Sequence, residues 1–222
     1  MPRQLSFDLP ARPALGRDDF FVSPANAEAL ATVEGWRDWP GGKLVLVGPK
    51  GAGKTHLAHV WAALSGARIV AAAELAAADI PALAAHPVAV EDADRIAQDG
   101  AAEAALFHLH NLALAERRAL LVTGRDAPGR WGLGLPDLES RLQAAGIVRL
   151  AAPDDALLSA LLAKLFADRQ LSPSPDTITY LTRRIDRSFA AAARIVAKLD
   201  RAALAGKRPV TRALAAEVLD ET

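Results

Sequence analysis

Five short apolar runs punctuate the chain: Lys43-Leu44-Val45-Leu46-Val47, Arg68-Ile69-Val70, Val88-Ala89-Val90, Leu120-Leu121-Val122-Thr123 and Ile147-Val148-Arg149-Leu150. Continuous apolar character, as opposed to strict alternation with polar residues, marks strands that are buried on both faces. Ala/Leu-rich stretches of helical character separate one run from the next. Alternating strand and helix predicts a parallel sheet covered on both sides, so the expected fold class is α/β. Ahead of the first run a helix is expected from about Ala25 to Trp36, ended by the breakers in Trp39-Pro40-Gly41-Gly42.

The pattern changes at Ala151-Ala152-Pro153-Asp154-Asp155. Beyond it Leu157, Leu158, Leu161, Leu162, Leu165 and Phe166 recur at helical spacing, and Ser172-Pro173-Ser174-Pro175-Asp176 breaks the chain before further helices. The last helix is expected to begin near Thr211. These shifts divide the chain into a tail over residues 1–12, an α/β base over 13–152 and a small all-helical domain over 153–222.

Charge and composition narrow the field. The 222 residues carry 26 Lys+Arg against 26 Asp+Glu, a formal net charge of +0, so no global positive field favours a dedicated non-specific DNA binder. Cysteine is absent, which rules out disulfides, thiolate zinc sites and a cysteine nucleophile. The N-terminus lacks the apolar stretch of a signal peptide and no run is long enough to cross a bilayer, so a cytoplasmic protein with no membrane partner is expected.

The strongest chemical signal is Gly48-Pro49-Lys50-Gly51-Ala52-Gly53-Lys54-Thr55, a complete G-x-x-x-x-G-K-[ST] pattern after a strand and before a helix. In such a P-loop the glycines let backbone N–H groups curl around phosphates, Lys54 reaches the outer phosphate oxygens, and the Thr55 hydroxyl ligates Mg²⁺. The expected cofactors are ADP or ATP with Mg²⁺. A carboxylate for the metal is expected at the end of a later strand, where Val88-Ala89-Val90-Glu91-Asp92 stands. The usual order is Asp then Glu. Here Glu91 is one methylene longer than the usual metal residue and Asp92 one shorter than the usual base, which predicts binding with weak or absent intrinsic hydrolysis. The alternative is an acidic pair that caps the next helix at Ala93.

Thr123 closes the fourth run, where a hydroxyl would approach the terminal phosphate. Arg141, in Leu138-Glu139-Ser140-Arg141-Leu142, and Arg187, in Ile185-Asp186-Arg187-Ser188-Phe189, are candidate sources of the positive charge that phosphoryl transfer requires. His56 and His59 share a helix face without a third ligand, and His108 and His110 do not face each other, so no metal site beyond Mg²⁺ is expected.

These motifs stand in one collinear order: Phe20-Phe21-Val22 with Asn26, the P-loop, Glu91-Asp92, Phe107-His108 with Asn111, Thr123, residues 138–142 and Arg187. In that order the chain resembles the AAA+ ATPases of the bacterial replication initiator DnaA, and in particular its short relatives of the Hda type. The resemblance implies a five-stranded parallel sheet with a helical lid. It implies that Asp19, Phe20, Phe21 and Val22 line an adenine pocket, that Thr123 approximates a first sensor and Arg187 a second, and that Arg141 is a finger reaching a neighbouring subunit's nucleotide. Gly124 departs from the initiator, which carries a polar side chain there.

The segment from Val70 to Asp94 contains no Lys or Arg, so the initiator's contact with single-stranded DNA has no counterpart. At the N-terminus Gln4, Leu5, Phe7 and Leu9 form an alternating peptide, which an extended conformation would present on one side. With the resemblance it looks like a peptide that binds the DNA polymerase III sliding clamp; the alternatives are a frayed tail or a first edge strand. The implied function is control of replication initiation, with the clamp and DnaA as partners, DNA met only through the clamp, and homo-oligomers possible. The alternatives are a helicase loader or motor on single-stranded DNA and a non-catalytic replication adaptor.

Overall fold

Lys43–Val47 form strand β1, buried at all five positions, and this run is the axis of the fold. The computed structural model describes residues 15–220. In it β1 pairs in parallel with β4 (Leu120–Gly124) on one side and β5 (Gly146–Arg149) on the other. With β2 (Arg68–Ala71) and β3 (Val88–Glu91) the sheet has the order β2-β3-β4-β1-β5, all parallel. All strand C-termini therefore lie along one edge. From β1 the chain crosses to the β2 side, and from β4 it crosses back over β1 to β5. Such a reversal leaves a crevice at the C-terminal ends of the strands, the usual ligand position in open α/β sheets.

Side-chain alternation along β1 divides the core. Leu44 and Leu46 pack with α1 (Ala27–Glu34) and α2 (Lys54–Ser65) through Leu30, Val33, Leu57 and Trp61. Val45 and Val47 face the other way, onto α3 (Ile80–Ala84), α4 (Gly100–Ala115) and α5 (Pro136–Gln143) through Ile80, Leu106, Leu109 and Leu138. The expected α/β class is the observed one. Helix α1 is shorter than the sequence pattern suggests, because Gly35 closes it and a 3-10 turn, Trp36–Asp38, follows.

After β5 the described residues form only helices: α6 (Asp155–Ala167), α7 (Pro175–Thr182), α8 (Phe189–Gly206) and α9 (Arg212–Asp220). Their starts are chemically marked. Asp154, Ser174 and Ser188 each accept a backbone N–H of the first turn, satisfying donors that have no partner within the helix. Leu158, Leu162, Phe166, Leu181, Val196, Leu199 and Leu214 give these helices a core of their own. They meet the sheet domain where the Phe189 N–H donates to the Gly51 carbonyl (3.0 Å) and where Lys164 pairs with Asp19. No helix among the described residues is long and apolar enough to cross a membrane.

Candidate functional site

The loop after β1 lies in the crevice that the sheet topology creates, and its backbone is shaped by glycine. Gly51 has φ 79° and Gly53 φ 103°. A Cβ at Gly51 would also lie 2.5 Å from the Ser188 Cβ, so the position is closed to other residues by backbone conformation and by the docked helix α8. Gly53 is the residue before α2, whose first turn has no side-chain cap. Among the described residues, the N–H groups of Gly51 and Gly53 have no hydrogen-bond partner. An uncapped helix start and free amides at one bend form a cradle for an anion.

Lys54 is buried, and its Nζ donates to the carbonyls of Gly48 (2.7 Å) and Pro49 (3.2 Å). Burial pushes its ammonium below the ordinary lysine range. The carboxylates of Asp92, Asp94 and Glu91 act against that shift, while Arg125 adds to it. Pro49, Lys50 and Thr55 are exposed, whereas Gly48 and Ala52 are buried beneath the loop.

The acidic residues sit at the end of β3. Glu91 has a buried Oε1 without a partner, and so does Asp94 at Oδ1. Asp92 lies between them in the left-handed region (φ 54°), a conformation that strains a non-glycine residue and is found preferentially at functional sites. Its carboxylate contacts Arg95 at the surface (3.5 Å) and accepts no N–H of the turn Ala93–Ile96, so the capping alternative for the pair is not realised. The buried Thr123 hydroxyl accepts the Asp92 N–H (3.0 Å), tying β4 to the acidic turn.

Two solvent-excluded carboxylate oxygens without partners, on the sheet edge that also carries the P-loop, match the hard-oxygen chemistry of Mg²⁺. Among the described residues no three His, Cys, Asp or Glu side chains converge on a point. A Mg²⁺ ion there would be held by one or two carboxylates and completed by substrate phosphates.

Around this centre the other sequence-derived residues are distributed unevenly. Phe20 is buried edge-on against the ring of His56 (centroids 5.1 Å apart), and His56 donates from Nε2 to the Gly16 carbonyl (3.0 Å). Phe21 and Val22 are 36% and 52% exposed. Asp19 is paired with Lys164 of α6, which holds its carboxyl below the ordinary range, so the segment bridges the sheet domain and the helical domain. Arg187 stands two residues before the contact of Phe189 with Gly51, but its guanidinium is exposed and paired with Asp155 (2.7 Å).

Arg141 lies elsewhere. Gly146, the first residue of β5, pairs with Leu44 near the start of β1, so α5 ends at the N-terminal edge of the sheet, opposite the P-loop. The two edges are separated by the length of β1, about 13 Å for its residues. Its guanidinium is exposed while its carbonyl accepts from Lys43 Nζ (2.9 Å). Gln4, Leu5, Phe7 and Leu9 lie outside the described residues.

Several participants have no counterpart among the sequence expectations. Arg125 follows β4 and faces Asp94. The carboxylate of Glu103, buried in α4, accepts the N–H groups of Gln98 (2.8 Å), Gly134 (3.0 Å) and Leu135 (2.7 Å), and thereby fixes the entry to α5. Nothing in the local sequence Ala101-Ala102-Glu103-Ala104 signals that role; the position of Arg125, two residues after Thr123, was a signal of a kind.

Among solved structures, domain III of the Thermotoga maritima replication initiation protein DnaA superposes with a TM-score of 0.80 at 16% identity, over 96% of this chain and 98% of that one. The fold is that of an AAA+ domain of the DnaA type. No protein-family model matches the sequence. The replication initiator DnaA bound to AMPPCP and single-stranded DNA gives a TM-score of 0.72 at 15% identity, covering 88% of this chain and 69% of that one. A variant of RuvB, also from Thermotoga maritima, gives 0.71 at 16%, covering 93% and 72%. The likeness in fold thus persists at 15–16% identity.

Proposed function

We propose that this chain is a nucleotide-binding regulator of chromosome replication initiation, of the Hda type, that works with the DNA sliding clamp to promote hydrolysis of ATP bound to DnaA. The observation that carries the reading is the separation of Arg141 from the P-loop by the depth of the sheet. An exposed arginine on the far edge supplies charge to a nucleotide held by a neighbour, and its own chain's phosphate site lies out of reach. The fit of the P-loop to a nucleotide supports ADP or ATP as the ligand of the chain itself, with Lys54 and the amides of Gly51 and Gly53 on the phosphates. Mg²⁺, when bound, would neutralise phosphate charge, with Thr55 and Glu91 as the protein's oxygen donors.

Intrinsic turnover is expected to be slow. Asp92 is held in a strained turn and its carboxylate is directed to Arg95, while Glu91 is the partly buried member of the pair. That arrangement favours a ligand-dependent adaptor in the cytoplasm over a motor on single-stranded DNA. Clamp binding is assigned to Gln4, Leu5, Phe7 and Leu9, and contact with DNA to the clamp.

Reconstitution tests this reading. DnaA loaded with radiolabelled ATP is followed with and without the protein and with clamp loaded on DNA. The expected outcome is conversion to ADP only when both are present, and its loss on deletion of residues 1–9. Conversion that needs neither clamp nor tail, or none under any condition, sinks the proposal. Rapid hydrolysis by the protein alone would favour the motor.

A further inference from the structure

Helix α5 carries Arg141, yet at eight residues it is too short to hold its own conformation in water. Its shape is imposed from outside. Leu138 and Leu142 are buried, and no side chain of the helix caps its start; Glu103 of α4 instead takes the N–H groups of Gly134 and Leu135 that lead into it. At the other end the last carbonyls run out of helical N–H groups. The N–H of Ala144 goes to Ser140 (3.1 Å) and that of Ala145 to Leu142 (3.2 Å), which passes over the carbonyl of Arg141. Lys43 Nζ, from the first residue of β1, supplies the donor for it at 2.9 Å.

Lys43 is a costly choice for that task. It is only 9% exposed, its other contact is the ring nitrogen Nε2 of His110 (3.2 Å), and among the described residues no carboxylate pairs with it. Burial pushes its ammonium below the ordinary lysine range, and the charge of Arg141 acts in the same direction. An apolar side chain of the same length would fill the space without burying an unpaired cation. It could not hold the Arg141 carbonyl. The guanidinium of Arg141, by contrast, has no ion-pair partner among the described residues, and the nearby Glu139 is bonded to Gln143 (2.8 Å). The backbone at Arg141 is fixed while its side chain is left open to a group from outside.

Resting on the trans-acting reading of Arg141 above, we infer that Lys43 is the positioning residue of that arginine. It ties the last turn of α5 to the central strand, so that the guanidinium extends toward the neighbour's phosphates from a fixed root. Lys43 touches no nucleotide itself and acts through the Arg141 carbonyl, with His110 holding its ammonium in line.

The chain has no cysteine, so Ser140→Cys, exposed on α5, accepts a nitroxide label without background. Lys43→Met, which keeps the length and removes the donor, should raise the mobility of that label in the full chain while circular dichroism and ADP affinity stay as in wild type. In single-turnover hydrolysis by ATP-loaded DnaA with clamp on DNA, unlabelled Lys43→Met should slow the stimulated rate by about tenfold to a hundredfold, the cost of a misplacement of about 1 Å, and leave the concentration for half-maximal stimulation within about twofold. Combined with Arg141→Ala it should cost nothing further, because the two act as a unit, whereas a general loss of stability would add its own effect. Lys43→Arg, which keeps a donor, should lose less than Lys43→Met. If Lys43→Met does not fold, Lys43→Gln, too short to reach the carbonyl, takes its place in each measurement. A label as immobile as in wild type, an unchanged rate, or an additive loss in the double variant each overturns the inference while Arg141 keeps its role. Full stimulation by Arg141→Ala overturns the trans-acting reading and the inference with it.

Discussion

The two edges of the sheet are built by opposite rules. At the C-terminal edge, glycine bends, free amides and buried carboxylate oxygens without partners leave polar capacity unsatisfied, and charges of both signs stand close together. At the N-terminal edge, the polar groups satisfy one another: Lys43 Nζ reaches the Arg141 carbonyl (2.9 Å) and His110 Nε2 (3.2 Å), and His110 Nδ1 reaches Asn111 Oδ1 (3.2 Å). Since unpaired buried polar groups are costly, an edge left unsatisfied is one shaped to receive a ligand, and an edge closed on itself is one shaped to hold something still. What the second edge holds still is the helix end that displays Arg141.

The sharpest way to break this comparison is to remove the displayed charge. Arg141→Ala is expected to bind nucleotide as wild type does and to lose stimulation of hydrolysis on initiator-bound ATP by about 10³- to 10⁵-fold, the range for an arginine supplied in trans. The measurement is single-turnover hydrolysis by ATP-loaded DnaA with clamp present. Loss of the variant's own nucleotide would instead assign Arg141 to the receiving edge and dissolve the distinction.

The reciprocal substitution acts on the receiving edge. Lys54→Ala deletes the P-loop ammonium and is expected to weaken ADP and ATP by about tenfold to a hundredfold, the cost of bonds to a charged group. Calorimetry reads the affinity. The substitution should leave Lys43, His110 and Arg141 in place, so any loss of stimulation should be recovered at saturating nucleotide. Stimulation that stays lost at saturation would mean that the two edges are coupled through more than ligand occupancy.

How legible each edge was follows from how far apart its parts lie in the chain. The P-loop is eight consecutive residues at the end of an apolar run, and the sheet follows from runs like Val88-Ala89-Val90, whose burial is continuous. The N-terminal edge joins Lys43, His110 and Arg141, and no local pattern announces that a lysine opening a strand will meet a histidine on α4. Glu103 is hidden for the same reason: in an Ala-rich helix a single glutamate reads as solvated, and only the approach of residues 134–135 makes it a buried acceptor. Asp94 and Arg125 meet because β3 and β4, consecutive in the chain, are also neighbours in the sheet, but both residues lie beyond the strand ends, where the apolar runs carry no signal of a pairing. The early end of α1 reflects a local competition, in which Gly35 and the turn that follows outweigh the helical spacing that extends to Trp36.

The smallest effect concerns protonation of the closed edge. Lys43 donates to His110 Nε2, so the ring proton lies on Nδ1 and donates to Asn111; a second proton on Nε2 would abolish the bond to Lys43 and place two cations together beneath Arg141. Burial holds the imidazole below its ordinary value of 6.5, Asn111 acts in the opposite direction, and the charges of Lys43 and Arg141 reinforce the lowering. Because the folded state resists the proton that the unfolded chain accepts, this contribution to stability is complete above about pH 6.5 and declines as the pH falls below it. Loss of one buried hydrogen bond is worth about 1 kcal/mol, or about 2–4 °C in Tm for a chain of this size. His56, also lowered by burial, adds a decline of the same sign at the other edge. Thermal melts between pH 7.5 and 5.5 should therefore show a drop in wild type that His110→Gln makes shallower without removing it. An identical slope in the variant would show that His110 is not the group that titrates, and the closed edge would then owe its rigidity to packing alone.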